Sequence, residues 1–274
     1  MNSSPHSTRI SRLFARLKDE GKKGLIAYIT AGDPSPDRTT ELVLALERGG
    51  TDLIELGVPF SDPVADGPVI QAASERALKA GTTLRKVLAI ASEVRQASEV
   101  PLLLFSYLNP ILRYGVEALA RDAAAAGIDG CLITDLSVEE ADAYLGAMRA
   151  HGLDTVFLAA PTSTPARLEL VAKYSTGFVY LVSRTGVTGE RNSLSGSLEP
   201  LVESVRKATS LPLAVGFGIS TPEQVRQVGI LADAAVVGSA FVRMIERNAG
   251  NASLPAQLES MARELKHGFE LKST

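Results

Sequence analysis

The chain has 274 residues, with 28 basic against 31 acidic side chains and a net charge of −3 at pH 7. That balance lacks the basic excess needed to wrap a phosphate backbone, so nucleic acid is not an expected partner. With 45% hydrophobic and 22% charged residues the composition is that of an ordinary globular protein, long enough for one large α/β barrel or two average domains.

The first element is a short amphipathic helix. Ile10, Leu13, Phe14 and Leu17 fall at i, i+3, i+4 and i+7, a stripe suited to plugging one end of a domain. This reading outweighs a transit peptide, which Arg9, Arg12, Arg16 and Lys18 ahead of the first acid at Asp19 would otherwise suggest. From residue 25 onward short β-rich runs alternate with helical patterns. Strands are predicted over 25–30, 52–56, 102–106, 130–134, 155–159, 177–182, 213–216 and 234–237. Helical patterns occupy 38–48, 84–97, 116–126, 138–150, 165–174, 198–208 and 222–228, followed by 240–247 and a closing amphipathic helix over 254–266. Gly49-Gly50, Gly127 and Gly152 follow helices and precede strands, as helix-terminating glycines do.

Eight strands alternating with helices fit a (β/α)8 barrel better than a six-stranded Rossmann fold. The fold class expected is therefore α/β, a single (β/α)8 TIM barrel over 1–274 with an N-terminal helix and an enlarged loop after strand 2. Residues 1–8 read as a tail and 268–274 as a frayed end. No uninterrupted apolar run of about 18 residues is present, so no membrane span is expected. Cys131 is the single cysteine, which rules out an intrachain disulfide and fits a reducing, cytoplasmic setting. His6 lies in a polar tail, and His151 and His267 each precede a glycine at a helix end, where imidazole complements the helix dipole. No metal site is expected.

In such a barrel the active site lies at the C-terminal ends of the strands, which selects a short list of residues. Glu55 sits between Ile54 and Leu56 on strand 2, where apolar neighbours raise a carboxyl pKa toward the range useful for proton transfer. A carboxylate turned outward to pair with a helix is the structural alternative, but both faces of a parallel strand are covered and an unpaired Glu there is costly. Asp66 lies on the Gly/Pro-rich loop leaving that strand, and with Glu55 it forms a pair of carboxylates in different environments. Asp62 and Asp66 are equally compatible with plain turn chemistry. Gly216 and Gly218 end strand 7, and Gly238-Ser239 end strand 8 just before a helical run, the usual place for phosphate in a barrel. Gly186 and Gly189 can bring a third backbone segment to the same oxygens, within a polar, glycine-punctuated stretch over 183–193 that suits a lid. Tyr28, Phe60, Tyr107, Tyr180 and Phe217, at or near strand ends, suit an apolar slot for a ring-bearing substrate.

The run from Glu55 to Pro68 resembles the tryptophan synthase alpha subunit family. So do Thr30-Ala31-Gly32-Asp33-Pro34, Tyr107-Leu108-Asn109-Pro110, Tyr180 through Gly189 and Gly216-Phe217-Gly218-Ile219-Ser220; the resemblance extends from about Ile10 onward. It implies a retro-aldol lyase that splits indole-3-glycerol phosphate into indole and glyceraldehyde 3-phosphate. By the resemblance Glu55 is the general acid/base, Asp66 the second carboxylate that accepts the indole N1-H, and Tyr180 an active-site tyrosine. Tyr28, Tyr107 and Phe217 match positions around the indole slot; Phe60, an aromatic near the same mouth, is expected to help line it, and closure of the lid over 184–198 would bring Thr188 and Gly189 toward Asp66 and the phosphate. Gly189, Gly218, Gly238 and Ser239 form the phosphate cradle. The resemblance further implies no cofactor on this chain and a beta-subunit partner that carries pyridoxal phosphate, receives indole through a tunnel and completes an alpha-beta-beta-alpha heterotetramer. The loop 59–66, the Asn109-Pro110 turn and the turn 135–137 are the expected contact surface. A stand-alone indole-releasing lyase and a non-catalytic activating subunit remain alternatives. Indoleglycerol-phosphate synthase chemistry, which uses a lysine at a strand end, is disfavoured because Lys79, Lys173 and Lys207 fall in helical segments.

Overall fold

A computed structural model describes residues 7–182, 194–216 and 218–271. The first half of the described chain runs α1 (Arg9–Asp19), β1 (Gly24–Thr30), α2 (Pro36–Arg48), β2 (Leu53–Gly57), α3 (Pro68–Lys79), α4 (Leu84–Ala97), β3 (Leu102–Ser106), α5 (Leu108–Tyr114), α6 (Val116–Ala125) and β4 (Gly130–Ile133). The second half runs α7 (Asp142–Ala150), β5 (Asp154–Ala159), α8 (Pro165–Tyr174), β6 (Val179–Val182), α9 (Leu194–Ala208), β7 (Leu213–Gly216), α10 (Pro222–Leu231), β8 (Ala234–Val237), α11 (Ser239–Arg247) and α12 (Leu254–His267). The strands close in sequence order into a parallel barrel, β8 pairing back onto β1. This is the expected (β/α)8 TIM barrel.

Alternation along each strand divides the core into two layers. Leu25, Ala27 and Ile29 of β1 pack outward beneath the helices, as do Ile54 and Leu56 of β2 and Leu102 and Leu104 of β3. Ile26, Leu53, Leu103, Leu132, Val156 and Phe178 fill the barrel interior. Ile10, Leu13, Phe14 and Leu17 of α1 belong to that inner cluster, with Phe14 and Phe178 ring centroids 5.7 Å apart. Ile10 lies against Gly177, two residues before β6, and Leu17 against Gly24, the first residue of β1, so α1 stoppers the barrel at the N-terminal end of its strands. Thr8 caps α1 by accepting the Ser11 N–H at 3.0 Å and donates its own hydroxyl hydrogen to Asp154, so the expected tail is tied down from Thr8 onward. Order also extends past the expected fraying point at 268: Gly268–Glu270 forms a 3-10 turn with Phe269 against the core.

The helical pattern expected over 138–150 is two elements, a 3-10 turn Val138–Glu140 and then α7. Val138 and Ala141 are both buried, and their spacing of three matches the 3-10 repeat rather than 3.6. Strand 6 starts at Val179 rather than 177. Asn109-Pro110 lies in the first turn of α5, where proline is tolerated, rather than in a turn between elements. Gly127 takes φ +80° beyond α6, as its place after a helix required. Removing α1, α3, α5 and α11 leaves one helix per strand; α3, α5 and α11 all belong to connections that leave the C-terminal ends of strands. Among the described residues no helix is long and apolar enough to cross a membrane.

Candidate active site

Glu55 faces inward because its neighbours Ile54 and Leu56 face outward. Its side chain is wholly buried, and neither carboxylate oxygen has a hydrogen-bond partner in the structure. That burial pushes its pKa up to about 8. Tyr28 is its register partner on β1, and its hydroxyl lies 3.3 Å from Thr30 Oγ1. Burial likewise holds the Tyr28 and Tyr180 phenols far above their ordinary range, with the Glu55 charge adding to the effect at both.

Two glycines make room for these tyrosines. A Cβ at Gly57 would lie 2.3 Å from Tyr28 Oη, and one at Gly216 would lie 2.2 Å from Tyr180 Oη. Each glycine ends the strand that pairs with the tyrosine's own strand, opposite the second residue past the tyrosine: Thr30 pairs with Gly57 and Val182 with Gly216. Gly216 therefore clears space for a side chain, a role distinct from the phosphate loop in which the sequence pattern placed it.

The loop after β2 brings Asp66 back over the same mouth. Asp66 is partly exposed; desolvation pushes its pKa up to about 6 against a hydrogen bond from Tyr107 that favours its ionised form. The Tyr107 hydroxyl also accepts the Ala65 N–H at 3.0 Å, and Phe60 packs against the Tyr107 ring at 5.3 Å. Tyr107 and Phe60, expected around the ring slot, thus stand behind the loop and hold it in place. The apolar walls of the pocket come from Tyr28, Phe105, Ile70 and Val236. The sequence reading missed the last three. Phe105 was findable from alternation, being the inward position on β3, where its ring meets Tyr28 edge-on at 5.2 Å.

Glu55, Asp66, Tyr180, Tyr28, Gly218, Gly238 and Ser239 all line this one pocket. Gly218 adopts φ +75°, a conformation that only glycine takes readily, and Gly238 caps α11. The first-turn N–H groups of α11, from Ser239 on, have no partner within the helix and face the anion-attracting end of its dipole. Phe217, Thr188, Gly189 and most of the expected lid lie outside the described residues. Among the described residues no group of three His, Cys, Asp or Glu is placed to hold a metal.

A protonatable carboxyl at the floor, a second carboxyl at the rim and a helix N-terminus beside it define a barrel enzyme that performs acid/base chemistry on a small phosphorylated substrate. Comparison with known proteins makes the class particular. A family model described as tryptophan synthase alpha chain matches residues 14–270. The tryptophan synthase alpha chain of Solibacter usitatus (strain Ellin6076) is 71% identical over 262 residues, 96% of this chain and 98% of that relative. That of Geotalea uraniireducens (strain Rf4) is 49% identical over 263 residues, 96% and 98% of the two chains. Among solved structures, tryptophan synthase subunit alpha from Legionella pneumophila str. Paris superposes with a TM-score of 0.88 at 36% identity, covering 96% of this chain and 99% of that one. A Mycobacterium tuberculosis tryptophan synthase chain gives 0.88 at 37% identity, covering 97% and 100%. The chain belongs to the tryptophan synthase alpha chain family. It is a carbon–carbon lyase of tryptophan biosynthesis that cleaves indole-3-glycerol phosphate to indole and glyceraldehyde 3-phosphate, and it is the alpha component of an enzyme whose other component is a beta subunit.

Proposed function

We propose that Glu55 is the proton carrier of this cleavage and Asp66 its electrostatic partner. The observation that carries the assignment is the Glu55 carboxyl itself, buried on the barrel floor with no partner and a pKa near 8. At neutral pH it keeps its proton, while Asp66, near 6, is mostly ionised. Glu55 gives its proton to indole C3, leaving positive charge on the ring centred on N1. Asp66 accepts the N1–H and stabilises that charge. The Glu55 carboxylate then takes the proton of the adjacent glycerol hydroxyl as the carbon–carbon bond breaks. The bond's electrons restore the indole ring, the carbinol carbon becomes the aldehyde, and Glu55 ends as it began. Tyr180 and Tyr28 wall the reacting carbons, with Gly218, Gly238 and Ser239 at the phosphate. Phe217, Thr188 and Gly189 are assigned beside them on the resemblance alone.

The chemistry asks for no cofactor on this chain; pyridoxal phosphate belongs, in this reading, to a beta subunit joined to it in an alpha-beta-beta-alpha complex of the cytoplasm. The supporting features are two exposed apolar side chains on segments leaving the C-terminal ends of strands: Val64, on the loop after β2, is 84% exposed and Leu112, on α5, is 58% exposed.

Glu55→Gln tests the assignment. It keeps size and shape but cannot carry the proton, so indole release should fall by roughly three orders of magnitude while glyceraldehyde 3-phosphate still binds. A folded variant that turns over at near the parental rate would exclude Glu55 as the carrier.

A further inference from the structure

Beyond its strand residues, the pocket takes in pieces that the barrel register does not hold. Asp66 and Gly67 directly precede α3, and the Gln71 amide on α3 donates to the Asp66 carbonyl at 2.8 Å. Gly238 and Ser239 open α11. Neither helix belongs to the ring of eight. They meet at a small cluster in which Ala73 of α3 and Val242 of α11 pack with Tyr28 of β1.

Arg76 of α3 ties the same three elements together. Its Nε and Nη2 each donate to one oxygen of Asp33 at 2.9 Å, a bidentate fork on a carboxylate that is 1% exposed in the loop after β1. Its remaining terminal nitrogen, Nη1, donates to Glu246 on the last turn of α11 at 2.8 Å. The planar guanidinium fixes direction as well as distance, which a lysine ammonium cannot do.

We propose that Arg76 is a positioning residue that sets the span between the ring end of the site, at Asp66, and its phosphate end, at Ser239. The proposal rests on the reading of those two ends given above. A tilt of α3 relative to α11 moves Asp66 relative to Ser239. Indole alone or glyceraldehyde 3-phosphate alone touches one end and is indifferent to the span. A molecule joining both ends is held to it, so the span enters affinity and rate only for the joined ligand.

The test measures binding of three ligands by calorimetry: indole, glyceraldehyde 3-phosphate, and the uncleavable phosphate ester of 3-(indol-3-yl)propan-1-ol. In Arg76→Lys, which preserves charge but not the fork, the two halves should bind within about twofold of the parent, while the joined ester weakens by roughly tenfold and kcat/KM falls with it. Glu246→Gln, which loosens only the α11 arm at a half-exposed site, should show the same pattern at about threefold. It decides the matter alone if Arg76→Lys does not fold. Parallel losses for halves and joined ligand would mean that Arg76 merely supports the fold, and an unchanged joined ligand would mean that it does not set the span; either result overturns the proposal. If the parent protein binds neither half, the reading of the two ends fails first, and the role of Arg76 with it.

Discussion

Burying Glu55 without a partner costs folding free energy whenever the carboxyl is ionised, and the sign of that cost is open to measurement. Its pKa is about 8 in the folded chain against an ordinary 4.5, so between those values the folded state holds a proton that the unfolded state has released. Stability therefore falls as pH rises from 4.5 to 8 and the loss is complete above that range. A shift of that size corresponds to on the order of a few kcal/mol. Asp66 contributes with the same sign over a narrower range, from 3.8 to about 6, discounted by its partial exposure. Denaturant midpoints at pH 5, 7 and 9 should show the parental chain weakening with pH and Glu55→Gln losing most of that slope. Parallel slopes in the two proteins would mean that the carboxyl is solvated. Glu55 on strand 2 and Asp66 on the loop leaving it were legible as candidates from their places, and the structure brings both to one pocket. The position of Tyr107 was not, because proximity to a strand end does not say whether a ring faces the pocket or the back of its loop.

α1 contributes as an element: its apolar stripe fills the barrel end, and at its first turn Arg9 donates to the buried Asp129 at 3.1 Å. Phe14 meets Phe178 inside the barrel, and Phe178 in turn lies 6.5 Å from the Tyr180 ring, so Phe14 is separated from the pocket by one layer of side chains. Phe14→Ala should destabilise the chain by about 3–4 kcal/mol through the cavity it leaves, and leave turnover intact below the lowered melting temperature. Calorimetric melting with parallel assays checks both halves of that statement, and a loss of turnover in the still-folded variant would show that the plugged end and the active site are coupled through Phe178 and Tyr180. The stripe was legible because helical periodicity carries its own signature, as the short β-rich runs did for the strands. α3 and α5 were not individually resolved: one begins in a Gly/Pro-rich loop and the other is seven residues long with a proline in its first turn, so local composition resembles a turn until tertiary packing decides. Gly57 and Gly216 were opaque for a related reason. What they accommodate is a tyrosine on the next strand, and that adjacency exists only once the barrel closes.

At the scale of the whole molecule the apolar exposure at Val64 and Leu112 lies on the same side as the pocket, on the segments that follow β2 and β3. Seated there, as proposed above, a beta subunit would touch the loop that carries Asp66, and its binding would bias the geometry proposed for catalysis. Indole release by the chain alone should be slow and should rise severalfold or more on adding the beta subunit. Leu112→Asp should leave the slow rate unaltered and blunt the rise, which steady-state titration with the beta subunit would reveal. Full activity of the chain alone, with no response to the partner, would favour the stand-alone lyase.

The stopper formed by α1 also decides how material moves. With Ile10, Leu13, Phe14 and Leu17 filling one end of the barrel, the pocket is, among the described residues, a flask whose neck lies at the C-terminal ends of the strands. Substrate enters, and both products leave, by the same opening, so the fragment nearer the neck departs ahead of the one seated on the floor unless the rim widens between the two departures. A partner that seals the neck closes that way out as well. It can therefore accept the inner fragment only if its own interior continues the flask, which turns release into bulk water into delivery from one subunit to the other.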